Sequence, residues 1–330
     1  MNENELRALV TSTGRELLKE GLVARTWGNI SARVSDTTFL ITPSGLDYVR
    51  TTDEDLVLVD RTTMEWNGKR KPSSEKGIHA AAYEIFPEVG FVIHTHQVYA
   101  SAISVAGFEG LDVTGEERKR LGGIGKAGYG LPGTGKLKKA VRKVMEAGNH
   151  TILMKDHGAL IAAETKEKAF ENAALLEEIC RRNLKYPERF STNGDKAAEP
   201  ILFMQGNKDP NIQAVTAKDV VLRSRDDRPM PARLDDMAQM IGRKVEVVVN
   251  SPEAVENALK KHCAVFVKDC GAVIHGMDSD DAEALRLLLE KSAITDMNAE
   301  GKGSSERIGW FDCCLMHFVY TKKYSKKKNS

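Results

Sequence analysis

Three histidines and one glutamate carry the most suggestive chemistry in this 330-residue chain. His94 and His96 stand two apart at the end of the apolar run 90–93. Side chains alternate along a strand, so residues i and i+2 present two imidazoles to one point. His157 follows a second apolar run, 151–154, and precedes Gly158. Three neutral imidazoles suit Zn2+ and leave positions open for a substrate, with Mn2+, Fe2+ or Co2+ as other occupants. Taken singly, the H-x-H pair also reads as strand-end polar residues, and His157 as a hydrogen-bonded turn residue. His79, His150, His262, His275 and His317 have no comparable setting and read as structural or surface residues.

Glu75 follows Ser73 and Ser74 just before a helix expected over 76–86. One reading is a cap: serine hydroxyls accept helix-end N–H bonds, and an acid favours the positive end of the dipole. The other uses the same physics for chemistry. Exposed N–H groups and hydroxyls at a helix start suit a phosphate, and a carboxylate beside an activated carbonyl compound acts as a base. Asn29 and Ser44-Gly45 lie in other loops, either as turn formers or converging on the same place.

The elements that must position these residues follow from periodicity. Leu6, Leu9, Val10, Leu17 and Leu18 mark a helix over 5–20, stopped at Gly21. Strands are expected at 30–34, 38–42, 55–59, 90–96 and 151–154, and further helices at 137–147 and 166–184. This alternation points to a layered α/β domain over 1–190. Residues 191–214 are polar with Gly and Pro and read as a linker. Beyond it, Lys268-Asp269-Cys270-Gly271-Ala272-Val273-Ile274 matches Lys155-Asp156-His157-Gly158-Ala159-Leu160-Ile161. Residues 215–322 therefore read as a degenerate, partial copy of the first domain. That copy has Cys270 in the place of His157 and no paired histidines, so one metal site per chain is expected, in the first half. Residues 323–330 form a basic tail.

Two glycine motifs are decoys. Gly130-Leu131-Pro132-Gly133-Thr134-Gly135-Lys136 resembles a P-loop, but Leu137 stands where a Mg2+-binding Ser or Thr belongs. Gly123-Ile124-Gly125-Lys126-Ala127-Gly128 resembles a dinucleotide fingerprint. With no strand expected before either, both read as one flexible glycine-rich loop over the site. Cys313-Cys314 with His317 reads as part of a buried apolar stretch.

Bulk properties agree with a globular protein: 41% hydrophobic and 29% charged residues, with a net charge of +1 that argues for neither a nucleic-acid nor an acidic partner. Five cysteines without a C-x-x-C pair fit a reducing, cytoplasmic setting. No signal peptide or membrane-spanning run is expected.

Five ordered motifs give the chain over 5–185 a resemblance to the class II aldolase/adducin family. They are Gly28-Asn29-Ile30-Ser31, Thr42-Pro43-Ser44-Gly45, Pro72-Ser73-Ser74-Glu75, His94-Thr95-His96 and Asp156-His157-Gly158. The resemblance implies a three-layer α/β/α sandwich around a mixed, largely antiparallel sheet, with the C-terminal half-repeat appended. It implies Zn2+ on His94, His96 and His157, without an organic cofactor. Gly28, Asn29, Ser44, Gly45, Ser73 and Ser74 would cradle a substrate phosphate, and Glu75 would be the acid/base. The implied reaction is aldol cleavage of a ketose 1-phosphate to dihydroxyacetone phosphate and an aldehyde, through a metal-stabilised enediolate. A sugar-phosphate 4-epimerase or related lyase is the alternative, though the epimerases that resemble it carry Asp where this chain has Glu75. An adducin-like interaction protein with a vestigial metal site is the alternative of another class. A homo-oligomer is implied, tetrameric by resemblance and altered by the C-terminal half-domain. Where the resemblance places a tyrosine proton donor, the stretch 111–118 offers Thr114, and Tyr129 belongs to a different position.

Overall fold

The structure is a computed structural model that describes residues 1–190 and 198–327, with side chains to 322. The chain divides into two compact units: 1–104 with 108–183, and 105–107 with 184–330.

The first unit is built on a seven-stranded sheet. Its elements are α1 (Glu3–Lys19), β1 (Asn29–Arg33), β2 (Thr38–Ile41), β3 (Val57–Asp60), α2 (Lys76–Ile85), β4 (Phe91–Thr95), α3 (Val98–Val105), α4 (Gly115–Arg120), β5 (Ile124–Ala127), α5 (Gly135–Glu146), β6 (Thr151–Met154), β7 (Gly158–Ala163) and α6 (Lys166–Arg182). The order is β3-β2-β1-β4-β7-β6-β5, antiparallel at every pair except β5–β6. This is the mixed, largely antiparallel sheet expected. Helices α2 and α5 cover one face and α1 and α6 the other. Strand alternation explains the division. Phe39, Ile41, Val57, Val59, Val92 and Leu160 join Ile78, Tyr83 and Val141 in one buried cluster on the α2/α5 side. His94 lies two residues after Val92 and so points to that same face.

The glycine-rich segment differs from expectation. Residues 124–127 are not loop but the edge strand β5, paired with β6. A strand therefore does lead into the 128–134 loop, and Leu137 alone argues against a P-loop there. The signal was hidden because only four residues pair and one is glycine. A Cβ at Gly125 would meet the Val144 side chain of α5 closer than any real contact, so the close packing of helix on strand requires glycine. Helices α3 and α4 and strand β7 also lay outside the periodic pattern.

The second unit has β8 (Ile212–Val215), α7 (Lys218–Ser224), β9 (Met230–Pro231), α8 (Asp235–Met240), β10 (Lys244–Val248), α9 (Pro252–Leu259), β11 (Ala264–Val267), β12 (Gly271–His275), α10 (Ser279–Gly301) and α11 (Trp310–Lys327). Its sheet runs β8-β12-β11-β10-β9. Order and sense of pairing over β8-β12-β11-β10 equal those of β4-β7-β6-β5: two antiparallel pairs, then a parallel one. The two matching turns also share a left-handed aspartate, Asp156 and Asp269, each at φ 62°. The expected linker is shorter than 191–214, because Leu202–Gln205 is a 3-10 turn and β8 begins at Ile212. A four-residue strand with half-exposed side chains gives no alternation long enough to read. Residues 191–197 of that linker, and 328–330 of the tail, lie outside the described residues; α11 takes in the tail as far as Lys327.

Within this unit Asp296, on α10, is buried between Arg223 and Arg233, whose Nε atoms donate to its two oxygens at 2.7 and 2.6 Å. Lys291 and Asp236 form a second buried pair. Such pairs are costly to break singly, because the remaining charge has no partner.

Candidate active site

Backbone geometry brings the three histidines together. β4 carries His94 at its penultimate residue, with His96 two beyond it. The β6–β7 turn delivers His157, held by its N–H to Met154 O at 3.1 Å. Gly158 follows because a Cβ there would strike the carbonyl oxygen of Thr95. That close approach of the turn to the end of β4 lets the three side chains meet. The Nε2 atom of His94 lies 3.0 Å from that of His157 and 3.1 Å from that of His96. All three residues are buried. Among the described residues this is a cluster of His, Cys, Asp or Glu whose ligand atoms lie within 4.8 Å of one another.

The protonation state of His94 follows from its other nitrogen. Nδ1 lies 2.8 Å from Ala159 O, a pure acceptor, so Nδ1 carries the proton and Nε2 offers a lone pair to the cluster. Convergent imidazole nitrogens at such spacing suit a shared cation. The donor set therefore fits a divalent metal ion.

Glu75 stands immediately before α2, but its side chain makes no cap bond. Instead Ser73 Oγ accepts from Glu75 N at 3.2 Å, and the carboxylate turns inward. Oε2 lies 3.3 Å from His94 Nε2, and Oε1 3.1 Å from His157 Nε2. Burial by itself would raise the carboxyl's pKa. The electrostatic pull of the His94 and His157 imidazoles, with hydrogen bonds from His157 and Asn29, outweighs it and holds the group well below the usual carboxylate range.

The neighbouring loops are drawn together by backbone pairing. Asn29 pairs with His94 across β1 and β4. Gly28, at φ +80°, packs against His94 O so closely that a Cβ would clash. Pro43 bridges Pro72, Ser44 N donates to Lys71 O at 2.9 Å, and Ser73 N donates to Thr42 O at 3.1 Å. Thus the loops bearing Ser44-Gly45 and Ser73-Ser74 adjoin. The 128–134 loop reaches them too, since a Cβ on Gly133 would stand 3.0 Å from Ser74 Cβ.

Of the two readings of His79, structural or surface, the structure bears out the structural one: it is fully buried and ties the site to the helix behind it, a link to Glu75 that the sequence reading did not include. Asn29 Nδ2 donates to Glu75 Oε2 at 2.8 Å, which leaves Asn29 Oδ1 to accept from His79 Nε2 at 2.5 Å. His79 Nδ1 is then the acceptor for Ser31 Oγ at 2.6 Å, and Ser31 Oγ accepts from Tyr83 Oη at 2.7 Å. Every donor and acceptor in this chain is assigned by its neighbour. Burial, then the electrostatics of nearby His94, lowers the His79 pKa to about 3 against the opposing pull of Glu75. The available signal was the spacing Glu75, His79, Tyr83, one helical face at i, i+4 and i+8. At Thr114 the structure shows a helix cap: its side chain accepts from Glu117 N at the start of α4. Cys313 is buried and Cys314 half-buried on α11, and all five cysteines are free thiols.

Fold and site together define an α/β/α protein with a three-histidine centre and an adjacent buried carboxylate. The profile of the Class II Aldolase and Adducin N-terminal domain matches residues 8–184, and the chain belongs to that family. The chain is 36% identical over 125 residues to methylthioribulose-1-phosphate dehydratase of Serratia proteamaculans, covering 37% of this chain and 61% of that one. It is 30% identical over 218 residues to the 5-methylthioribulose-1-phosphate/5-deoxyribulose-1-phosphate aldolase of Rhodospirillum rubrum, covering 59% of this chain and 95% of that one. A solved L-fuculose 1-phosphate aldolase superposes with a TM-score of 0.50 at 27% identity, over 54% of this chain and 84% of its own. These likenesses point to an enzyme. Among the described residues no helix is long and apolar enough to cross a membrane.

Proposed function

We propose that the chain is a metal-dependent aldolase that cleaves a ketose 1-phosphate to dihydroxyacetone phosphate and an aldehyde, and runs the reverse condensation. The observation that carries this reading is Glu75, a buried carboxylate 3.1 Å from one metal-binding imidazole and 3.3 Å from another. His94, His96 and His157 would hold a divalent ion, Zn2+ by the family resemblance, which would supply Lewis acidity toward the substrate carbonyl. Ser44, Gly45, Ser73 and Ser74, with Gly28 and Asn29, receive the phosphate near the start of α2, where the positive end of the helix dipole favours an anion. In condensation Glu75 takes the proton from the carbon of dihydroxyacetone phosphate that forms the new bond; in cleavage it returns one. Asn29 keeps the carboxylate aimed by its bond to Oε2, leaving Oε1 for the proton. Burial excludes water from that transfer. Names of relatives support the substrate class, since each denotes a ketose 1-phosphate.

A second reading is dehydration of the same kind of substrate. The same base removes the C3 proton while the C4 hydroxyl leaves as water, after which the enol tautomerises to a diketone. The likeness to the dehydratase and the presence of Thr114 where an aldolase tyrosine was expected favour it. Metal-loaded protein incubated with 5-methylthioribulose, 5-deoxyribulose and fuculose 1-phosphates separates the two. Release of dihydroxyacetone phosphate marks the aldolase, and a product lighter by one water marks the dehydratase. An epimerised pentulose phosphate would mark the third family activity. Absence of all three, with metal bound, would leave the adducin-like alternative. We further infer that the second unit is a partial copy of the β4–β7 half, supported by its strand order and by Cys270 in the place of His157. Free thiols support a cytoplasmic setting, and the family resemblance supports a homo-oligomer.

A further inference from the structure

Helix α11 is apolar on two opposite faces. Cys313, Met316, His317 and Tyr320, at i, i+3, i+4 and i+7, face the body of the second unit and pack on α8, with His317 Nδ1 donating to Gln239 O at 2.8 Å. The opposite face carries Trp310, Phe311, Leu315, Phe318 and Val319, which are 62%, 68%, 40%, 54% and 54% exposed. A helix that has already buried one stripe has no use for a second in water, and an apolar patch of this extent marks a contact surface.

We propose that this stripe joins two copies of the chain, α11 lying antiparallel on α11 of the second copy about a two-fold axis. Charge favours this occupant and this direction. Asp312 stands near the start of the helix and Lys322 near its described end, so antiparallel packing sets each acid by a lysine, whereas parallel packing would set like beside like. With Leu315 opposite Phe318 in both directions, as a two-fold contact requires, Asp312 falls opposite Thr321, one residue from Lys322. Shape favours it too. Beside the stripe runs a groove of about 610 Å³ lined by Met240, Leu285, Cys314 and Tyr320 and edged by Arg243 and Lys244. A surface that carries both projecting aromatic rings and an apolar groove fits its own copy. The exposed portions of the five side chains amount to roughly 500 Å² per copy, so the pair would bury about 1,000 Å², the lower bound for a specific interface.

Sedimentation velocity on the full chain, metal loaded, and on the double variant Phe311→Glu/Phe318→Glu gives the first measurement. The expected result is a twofold fall in mass with unchanged far-UV circular dichroism. A larger assembly held also by other surfaces could keep its mass, so cross-linking gives the second. In a Cys313→Ser/Cys314→Ser background, Leu315→Cys chains mixed with Phe318→Cys chains should form mixed disulfide dimers, whereas Phe311→Cys chains should not link to themselves. Unchanged mass together with no mixed dimer overturns the proposal. So does a wild-type chain that is monomeric throughout, which would assign the stripe to a different partner.

Discussion

The buried histidine behind the site makes a quantitative prediction about pH. His79 is neutral in the folded chain, with a pKa lowered from 6.5 to about 3, chiefly by burial and then by the electrostatics of nearby His94. In the unfolded chain it returns to the ordinary value. Below pH 6.5 the unfolded chain therefore binds a proton here that the folded chain refuses, so stability falls as pH falls. The stabilisation is complete above 6.5 and is lost progressively toward 3. Between pH 7 and 5 the loss is about 2 kcal/mol, at about 1.4 kcal/mol per unit of separation. His79→Gln removes the titration. Its amide nitrogen still donates toward Asn29 and its oxygen still accepts from Ser31. The assay is urea unfolding at pH 7 and pH 5 of metal-saturated wild type and variant. Trp310→Phe in both leaves Trp27 and Trp66, which lie in the first unit, as reporters. The stability lost by the wild type over that range should exceed the loss by the variant by about 2 kcal/mol. Contributions common to both proteins cancel in the difference. Equal losses would refute the neutral, buried assignment and the donor–acceptor order drawn through Ser31 and Asn29.

Three further outcomes follow from particular contacts. Glu75→Gln should lower proton exchange at the reacting carbon by roughly 10²–10⁴-fold, with metal content by atomic emission unchanged. Gly158→Ala pushes a methyl into Thr95 O and displaces the His157 turn, so it should release metal to a chelator faster and cost about 1–3 kcal/mol in unfolding. Asp296→Asn leaves Arg223 and Arg233 buried beside a neutral group and should destabilise the second unit by about 3–5 kcal/mol, read from Trp310 fluorescence, with metal content unchanged.

The readable parts of the chain were those where chemistry and periodicity coincide. His94 and His96 stand two apart because a strand repeats every two residues, and the apolar run before them names the strand. Glu75 was visible from the serines and the helix that follows. His79 was not, because a histidine within an apolar helix face carries no local mark of its partners. Its roles come from Asn29 and Ser31 on β1, 50 and 48 residues earlier. Strand β5 was hidden by Gly125, whose need for contact with Val144 is a tertiary fact.

The sequence by itself determined the layered architecture of the first unit and its metal-type donors. These are local matters of residue type and spacing. Only the tertiary structure decided that three imidazoles from two separate chain segments meet within hydrogen-bond distance, and that Glu75 points at them instead of capping its helix. It also decided that α11 keeps an apolar stripe facing water. Each depends on which backbone passes beside which, as where Gly158 lets the β6–β7 turn close on Thr95, and no stretch of sequence encodes that distance locally.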